Sequence, residues 1–424
     1  MRRAQLVIIA SAVAMLGWGT VLPYQYAYAA TTRGWGGMVA ALAASLFSVG
    51  ALAAAPVGGR LADRYPAALV AVVARLVAAV AAGSLVLAGT PATFVAGMAV
   101  FGFALAAGGP AQSVLVLERV TGDGRRTVFA WLASGQALGM GVGAFAAGYL
   151  VDLDRVDGMR PAFVAAALGF VTSAVLVALA ARGVNDLTSP RVRVPPAPGE
   201  TAAALRLVVR APSLRWTAVL TGALALAFYA QFESGLPAYA LTVLDVSERS
   251  VGTAAAVNCL VILLLQMVVV RWTARRSAPH LLMAVAAIWL LCWAVLGAAA
   301  RTPQLASVLL VVTFGVFAVG ETMCGPVLNP LVAQLAPRGY VGTTLGLFAG
   351  LQTGVSAVGP LVAGVALGAG LADAFVGLHV LICAVAVLAA WRLHGLLRAT
   401  TAGSAQRDAD DGPAAEEHGV RLAA

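Results

Sequence analysis

The chain has 424 residues, of which 61% are hydrophobic and 11% are charged. A soluble domain carries roughly 25% charged residues, so this composition excludes an ordinary soluble enzyme or scaffold. The net charge of +9, with 27 basic residues that are all arginine, points first to an anionic partner such as nucleic acid, but the placement of the arginines decides against that.

Apolar runs of membrane length recur from end to end. They predict an all-α membrane protein with twelve transmembrane spans: 6–29, 38–58, 67–88, 92–117, 127–150, 161–181, 216–243, 250–270, 280–299, 304–332, 342–367 and 374–397. Met1-Arg2-Arg3, the apolar run behind it and Ala27-Tyr28-Ala29 imitate a secretory signal. The run is long for a signal, and Trp18, Pro23, Tyr24, Gln25 and Tyr26 are unusual in one, so it reads as an uncleaved first helix.

The longest break, 182–215, holds Pro190, Pro195, Pro196, Pro198 and several arginines, and it divides the chain. The predicted organisation is a six-helix bundle over 1–181, a cytoplasmic central loop over 182–215, a second six-helix bundle over 216–397 and a tail over 398–424. Residues 200–211 are compatible with a short amphipathic surface helix. The tail is small, polar and acidic and cannot bury enough surface to fold, so it is expected to be disordered.

Arginine counting sets the orientation. With the N-terminus inside, 21 arginines fall on inner segments, five on outer loops (Arg33, Arg155, Arg160, Arg249, Arg301), and Arg75 lies within a span. Twelve spans then place both termini in the cytoplasm. The positive charge is a topology signal, and nucleic-acid binding loses its main support.

The two halves repeat. At an offset of 216, Gly109-Pro110 matches Gly325-Pro326, Gln136 matches Gln352, Val142-Gly143 matches Val358-Gly359 and Gly148 matches Gly364. At an offset of 214, Leu22-Pro23 matches Leu236-Pro237. Parallel six-helix repeats are one of the known transporter architectures.

Between the second and third spans lies Gly58-Gly59-Arg60-Leu61-Ala62-Asp63-Arg64-Tyr65-Pro66, read as a tight cytoplasmic turn. Its glycines let helix ends approach, its arginines anchor the inner side, and Asp63 can cap a neighbouring helix N-terminus. This stretch resembles the signature loop of the major facilitator superfamily, Gly-x-Leu-Ala-Asp-Arg-x-Gly-Arg/Lys-Arg/Lys. Gly59, Leu61, Ala62, Asp63 and Arg64 match it, while Pro66 and Ala67 replace the next glycine and base. The resemblance covers about residues 6–397 and looks like that of drug-efflux and exporter members, through the Pro-centred end of the first helix, Gln231 before Leu236-Pro237, and Gly320-Glu321 before Gly325-Pro326. It departs from them in two places. The family's helix-4 arginine has no counterpart in 92–117, and the Gly-Pro of the helix-5 antiporter motif stands in the eleventh span, as Gly359-Pro360. The resemblance implies a central cavity lined mainly by helices 1, 4, 7 and 10, alternating access, and a switch loop built on Gly59, Asp63 and Arg64.

An ionisable side chain inside a bilayer costs about 2.5–3.5 kcal/mol on insertion scales, so the few present carry information. Within the spans are Arg75, Glu233, Glu321 and His379, with Glu118 at an edge. Arg75 reads as a snorkelling or structurally paired residue, with Glu118 as a candidate partner. Glu321 and Glu233 are the candidate proton-coupling groups. Their repeat partners are Leu105 and Gly19, so the pseudo-symmetry does not require them. The alternative for each is a protonated acid bonded to a neighbouring helix. Tyr24, Gln25, Gln112, Tyr229 and Gln231 are candidate cavity groups, although helix–helix hydrogen bonds explain such residues equally well. Gly135, Gly139 and Gly143 predict close packing of the fifth helix, and His379 reads as a packing residue.

Cys259, Cys292, Cys324 and Cys383 lie scattered in apolar runs, the four histidines are dispersed and there is no phosphate loop, so no metal, cofactor or catalytic set is expected. The combined reading is a monomeric, multi-pass cell-membrane secondary transporter. Its partners would be a small-molecule substrate, a proton and membrane lipids, and its activity proton-coupled export of a small hydrophobic compound. An uptake symporter for a small metabolite and a non-transporting receptor of the same fold are the alternatives.

Overall fold

A computed structural model describes residues 2–119, 124–181, 206, 210–232, 234–273, 276–337 and 341–410. Among them the first half comprises α1 (Arg2–Val21), α2 (Gly36–Arg64), α3 (Ala67–Ser84), α4 (Pro91–Arg119), α5 (Gly124–Leu150) and α6 (Arg160–Ala181). The second comprises α7 (Pro212–Leu224), α8 (Glu248–Thr273), α9 (Ala278–Ala299), α10 (Ala306–Leu335), α11 (Val341–Gly368) and α12 (Ala372–Asp410). Among the described residues, eleven helical runs are long and apolar enough to cross a membrane; α5, 27 residues long and rich in glycine, is not one of them.

Two spans expected to be continuous are interrupted. α1 stops at Leu22-Pro23, because proline has no N–H for the ladder and its ring crowds the preceding turn. The chain then resumes as Gln25–Ala27 and a π turn at Tyr28–Thr32. α7 likewise passes through a π turn at Ala225–Tyr229 and a short piece, Ala230–Phe232. It resumes beyond Ser234 as Gly235–Thr242, with Pro237 in the first turn, where a missing N–H costs nothing. The repeat-related Leu-Pro pairs thus sit at the two broken helices.

The stretch Gly58–Arg64, expected as a turn, is the last part of α2. The turn itself is only Tyr65-Pro66. A residue before proline is driven out of the α region, and Tyr65 is extended at φ −119°, ψ 158°. Gly58 serves a close approach: a Cβ there would lie 2.6 Å from the Ala107 carbonyl oxygen on α4. At the other end of the chain, α12 extends to Asp410, beyond the span expected for it. Alanines at 399, 402, 405 and 409, with no proline before Pro413, favour continuation.

Packing follows the repeat. α1 lies against α5 and α6, α2 against α4, and α3 against α4 and α6, while α8 packs on α10, and α9 on α10 and α12. The glycine row of α5 rides on α1: Gly139 and Gly143 face the carbonyls of Ala12 and Leu16, and a Cβ at Gly135 would lie 3.2 Å from Ile8. The second half repeats one of these contacts at the matching position, with Gly359 of α11 seated on Ala230.

The two halves meet along α5 with α8 and α2 with α11. The tightest described contacts lie toward the end away from the chain termini. A Cβ at Gly252 would lie 2.6 Å from the Ala144 oxygen, and one at Gly37 would lie 3.1 Å from the Gly364 oxygen. Two tyrosines sit at these crossings. Tyr24 Oη donates to the Glu248 carbonyl at 2.9 Å, and Tyr26 Oη stands 3.0 Å from the position of a Cβ at Gly37. Glu248 adds a second tie, accepting at Oε1 from the Leu153 N–H at 3.4 Å. Arg249 stacks over Tyr149.

Candidate functional site

A cavity of about 340 Å³ lies between the halves. Its walls are the short piece after α1 at Gln25, α2 at Phe47, Ser48 and Ala51, and α5 at Met140. On the second half they are the interrupted α7 run from Phe228 to Ser234, α10 at Glu321, and α11 at Gln352, Thr353, Ser356 and Pro360. The family resemblance puts helix 4 in this wall, but no described residue of α4 lines it. Gly102 of α4 packs directly on the Phe47 backbone, so α2 forms the wall at that level. Trp18 stacks on Phe47 with centroids 4.3 Å apart, and Phe101 of α4 meets both rings edge-on, which fixes the Phe47 ring from behind.

Of the residues singled out from sequence, Gln25, Tyr229 and Glu321 share this cavity. Glu321 is partly buried on α10. The Asn258 amide nitrogen of α8 donates to the Phe314 carbonyl at 3.2 Å. Glu321 Oε2 and Asn258 Oδ1 are buried without a hydrogen-bond partner. Behind this wall Phe228 stacks on Trp289 and Phe317 at 4.9 and 5.0 Å, and the Trp289 and Trp293 indoles donate to the carbonyls of Phe317 and Ala227. The broken helix is therefore held in place by buried aromatic rings.

The other candidates are elsewhere. Tyr24 sits at the contact between the halves. Gln231 is fully buried and donates from Nε2 to the Gly359 carbonyl at 3.2 Å, tying the interrupted α7 to α11. Gln112 is buried on α4, and its Oε1 accepts from the Arg75 guanidinium. Arg75 is itself 5% exposed, so it is paired inside the bundle and does not snorkel. Glu233 lies outside the described residues, as do 182–205 of the central loop, 411–424 of the tail and the side chains of Asp63, Arg64 and Glu118; Gly59 is described only as part of α2. His379 is fully buried, stacked on Trp293 at 4.2 Å, with Nδ1 on the Phe375 carbonyl. The four cysteines are free and buried, and no cluster suited to a metal ion occurs among the described residues.

The α11 wall is what sequence reasoning misses. Gln352 enters it only as a repeat match, yet Gln352, Thr353 and Ser356 put polar groups on one face of an apolar helix, since residues four apart share a face. Pro360 reinforces that signal, because it offers no N–H to the Ser356 carbonyl and leaves a backbone acceptor at the cavity wall.

The Major Facilitator Superfamily model matches residues 7–360. Among solved structures, a mutant form of the nucleoside transporter NupG aligns with a TM-score of 0.74 at 16% identity, covering 93% of this chain and 99% of that one. A POT family transporter in complex with a thioalcohol-conjugated peptide aligns at 0.74 and 12% identity, covering 91% and 95%. A peptide transporter POT in complex with sulfate aligns at 0.72 and 16% identity, covering 92% and 95%. No curated protein sequence matches the chain. With repeated helical halves around a central cavity and a family match over most of its length, the chain belongs to the major facilitator superfamily of transporters.

Proposed function

We propose that the protein exports a small, largely hydrophobic compound across the cell membrane in exchange for protons, by alternating access of the central cavity. The observation that carries this reading is Glu321: a carboxylate facing the cavity between two repeated halves, with one oxygen buried and unpaired. A buried carboxyl without a basic partner takes up a proton when its surroundings are dry and gives it up when water or a cation reaches it, which links a gradient to a change of state. The rest of the described lining is aromatic and aliphatic with a few amides and hydroxyls, which suits a compact, mainly apolar substrate.

The arginine bias supports cytoplasmic termini. In that orientation the tight end of the bundle is the outer one, and the described arrangement is the inward-facing state. Exchange between the states would part α5 from α8 and α2 from α11 at that end and close them at the other. Asp63 and Arg64, at the end of α2, would serve the inner closure, as the family signature implies, while Glu233 stays a second candidate for coupling.

The test is flux in proteoliposomes with an imposed pH gradient, using a ligand identified by thermal-shift screening of the purified protein. Glu321→Gln keeps the shape of the side chain and removes its titration. It should abolish gradient-driven flux and retain ligand binding on the same preparation. Full gradient-driven flux in both Glu321→Gln and Glu233→Gln would remove the carboxylates from coupling.

A further inference from the structure

The two crossings between the halves are related by the repeat, yet they are held differently. Gly148 of α5 meets Gly252 of α8, and Gly364 of α11 meets Gly37 of α2. At an offset of 216 Gly148 matches Gly364, and at an offset of 215 Gly37 matches Gly252. One tyrosine hydroxyl reaches each crossing, and both tyrosines belong to the break that follows α1. Tyr24 Oη, at the α5–α8 crossing, donates to the Glu248 carbonyl at 2.9 Å. Glu248 Oε1 and Arg249 add ties of their own there, to the Leu153 N–H and the Tyr149 ring. Tyr26 Oη, at the α2–α11 crossing, stands 3.0 Å from the position of a Cβ at Gly37 and is buried without a hydrogen-bond partner. Tyr26 is 2% exposed, and among the described residues no side-chain hydrogen bond or ion pair joins α2 to α11. At an offset of 214 the two tyrosines correspond to Ala238 and Ala240, so the repeat itself calls for neither hydroxyl.

We propose that Tyr24 and Tyr26 bias the two states of the transporter in opposite directions: Tyr24 holds the end away from the chain termini closed, and Tyr26 favours its opening. The sign follows from the partner each hydroxyl has before and after the halves part. In the closed arrangement the Tyr26 hydroxyl has given up water and gained no hydrogen bond, a desolvation cost that falls on that arrangement alone. When α2 leaves α11, water reaches the oxygen and the cost disappears. The Tyr24 hydroxyl runs the other way. Its bond to Glu248 exists only while α8 sits on α5, and parting the halves exchanges it for a bond to water. An unmade bond on a buried group weighs more than a made one gains, so Tyr26 should have the larger effect of the two.

This inference rests on alternating access, and on neither proton coupling nor the identity of the substrate. Packing alone does not call for a hydroxyl at residue 26, because phenylalanine would fill the same space, save one oxygen, without an unpaired donor. The crossing also leaves no room for a polar partner: a Cβ at Gly364 would lie 2.3 Å from the Ala41 Cβ and 2.8 Å from the Gly37 oxygen. A transporter needs both of its states within reach, and a closure in which every group is paired and every surface packed would rarely be left. Tyr26 keeps the closure from becoming a trap, and Tyr24 keeps it from failing.

The test removes each hydroxyl and keeps its ring, in the purified full-length protein. Spin labels on cysteines introduced at Val156 and Leu305, in a background without the four native cysteines, report the distance between the halves at this end. Tyr24→Phe should raise the ratio of long to short distances by about 2–10-fold. Adding Tyr26→Phe to that variant should lower the ratio again, by about 5–150-fold. Thermal unfolding in detergent gives a second reading on the single variants, in which Tyr26→Phe should raise the midpoint and Tyr24→Phe should lower it. Shifts of the same sign from both substitutions would overturn the inference. So would a Tyr26→Phe that neither shortens the distances in the Tyr24→Phe background nor raises the midpoint. Gly252→Ala, which loads the same end sterically, separates the two levels of the reasoning. If it lengthens the distances while the tyrosine variants do nothing, the tyrosine assignment fails and alternating access stands. If no variant moves a single short distance, both fail.

Discussion

Gly252 is where the contact between the halves can be loaded with a single methyl group. A Cβ at this position would lie 2.6 Å from the Ala144 carbonyl oxygen, 2.8 Å from Tyr24 Oη and 3.4 Å from the Gly148 Cα. An ordinary carbon contact is about 3.5 Å, so α8 must move from α5 by roughly 0.9 Å or distort. The obstructing atom is a backbone oxygen in the middle of a helix, which cannot turn aside as a flexible side chain can. Overpacking of this kind costs about 1–3 kcal/mol. That cost falls only on the arrangement in which the halves meet at this end, and it shifts the two-state balance by about 5–150-fold. Within α8 itself alanine is a better helix former than glycine by about 0.8–1 kcal/mol, so loss of folded protein is not the expected outcome. The assay is a distance measurement between spin labels on cysteines introduced at Val156 and Leu305, which are exposed on different halves. The background lacks Cys259, Cys292, Cys324 and Cys383. Gly252→Ala should move the distribution toward longer distances. Gly325→Ala, where an added Cβ meets nothing within 4 Å, should leave it unchanged. An unaltered distribution in well-folded Gly252→Ala would refute the idea that this crossing holds the halves together.

Three further expectations concern other parts of the molecule. Gln112→Leu removes the hydrogen-bond acceptor of the buried Arg75 guanidinium and should lower stability by about 1.5–3 kcal/mol, read as a drop in the thermal-unfolding midpoint in detergent; Arg75→Met with Gln112→Leu should recover much of the loss. Cysteines introduced at residues 200 and 155 test the orientation in intact cells, where a membrane-impermeant reagent should label 155 and miss 200, the opposite pattern overturning the arginine argument. Asp63→Asn should reduce transport at unchanged expression, and normal transport would take Asp63 out of the switch loop.

The scaffold is readable because its causes are local. Hydrocarbon thickness sets span length, and a chain of 61% hydrophobic residues shows each span plainly. The glycine row of α5 announces a close helix contact, because four-residue spacing can only mean one helix face. The interruption of α7 is harder to see. Pro237 lies four residues after Glu233, and such a proline either kinks a helix or begins a new one; burial of Trp289 and Trp293 behind the break selects the second outcome, and that is tertiary information. The polar α11 face is visible in the sequence, but its value depends on which helix comes between α4 and the cavity. Packing of Gly102 on α2 settles that, and no periodicity reports it.

Symmetric and asymmetric features of the chain fall on different tasks. Contacts that recur are of two kinds. Within each half Gly143 rests on Leu16 and Gly359 on Ala230, while between the halves Gly148 approaches Gly252 and Gly364 approaches Gly37. Equivalent contacts on the two sides of a pseudo-axis can open and close together, which is what rocking one half against the other demands. The cavity obeys no such symmetry. Glu321 is matched by Leu105, and the first half offers Phe47 stacked on Trp18. A symmetric pair of facing carboxylates would repel each other and hold a proton between them in either state. A lone carboxylate opposite an aromatic wall is neutralised by one proton, and its loading can differ between the two faces of the membrane. On the proposed reading, the repeat would serve the motion, and its breakdown at residue 321 would serve the chemistry that the motion carries.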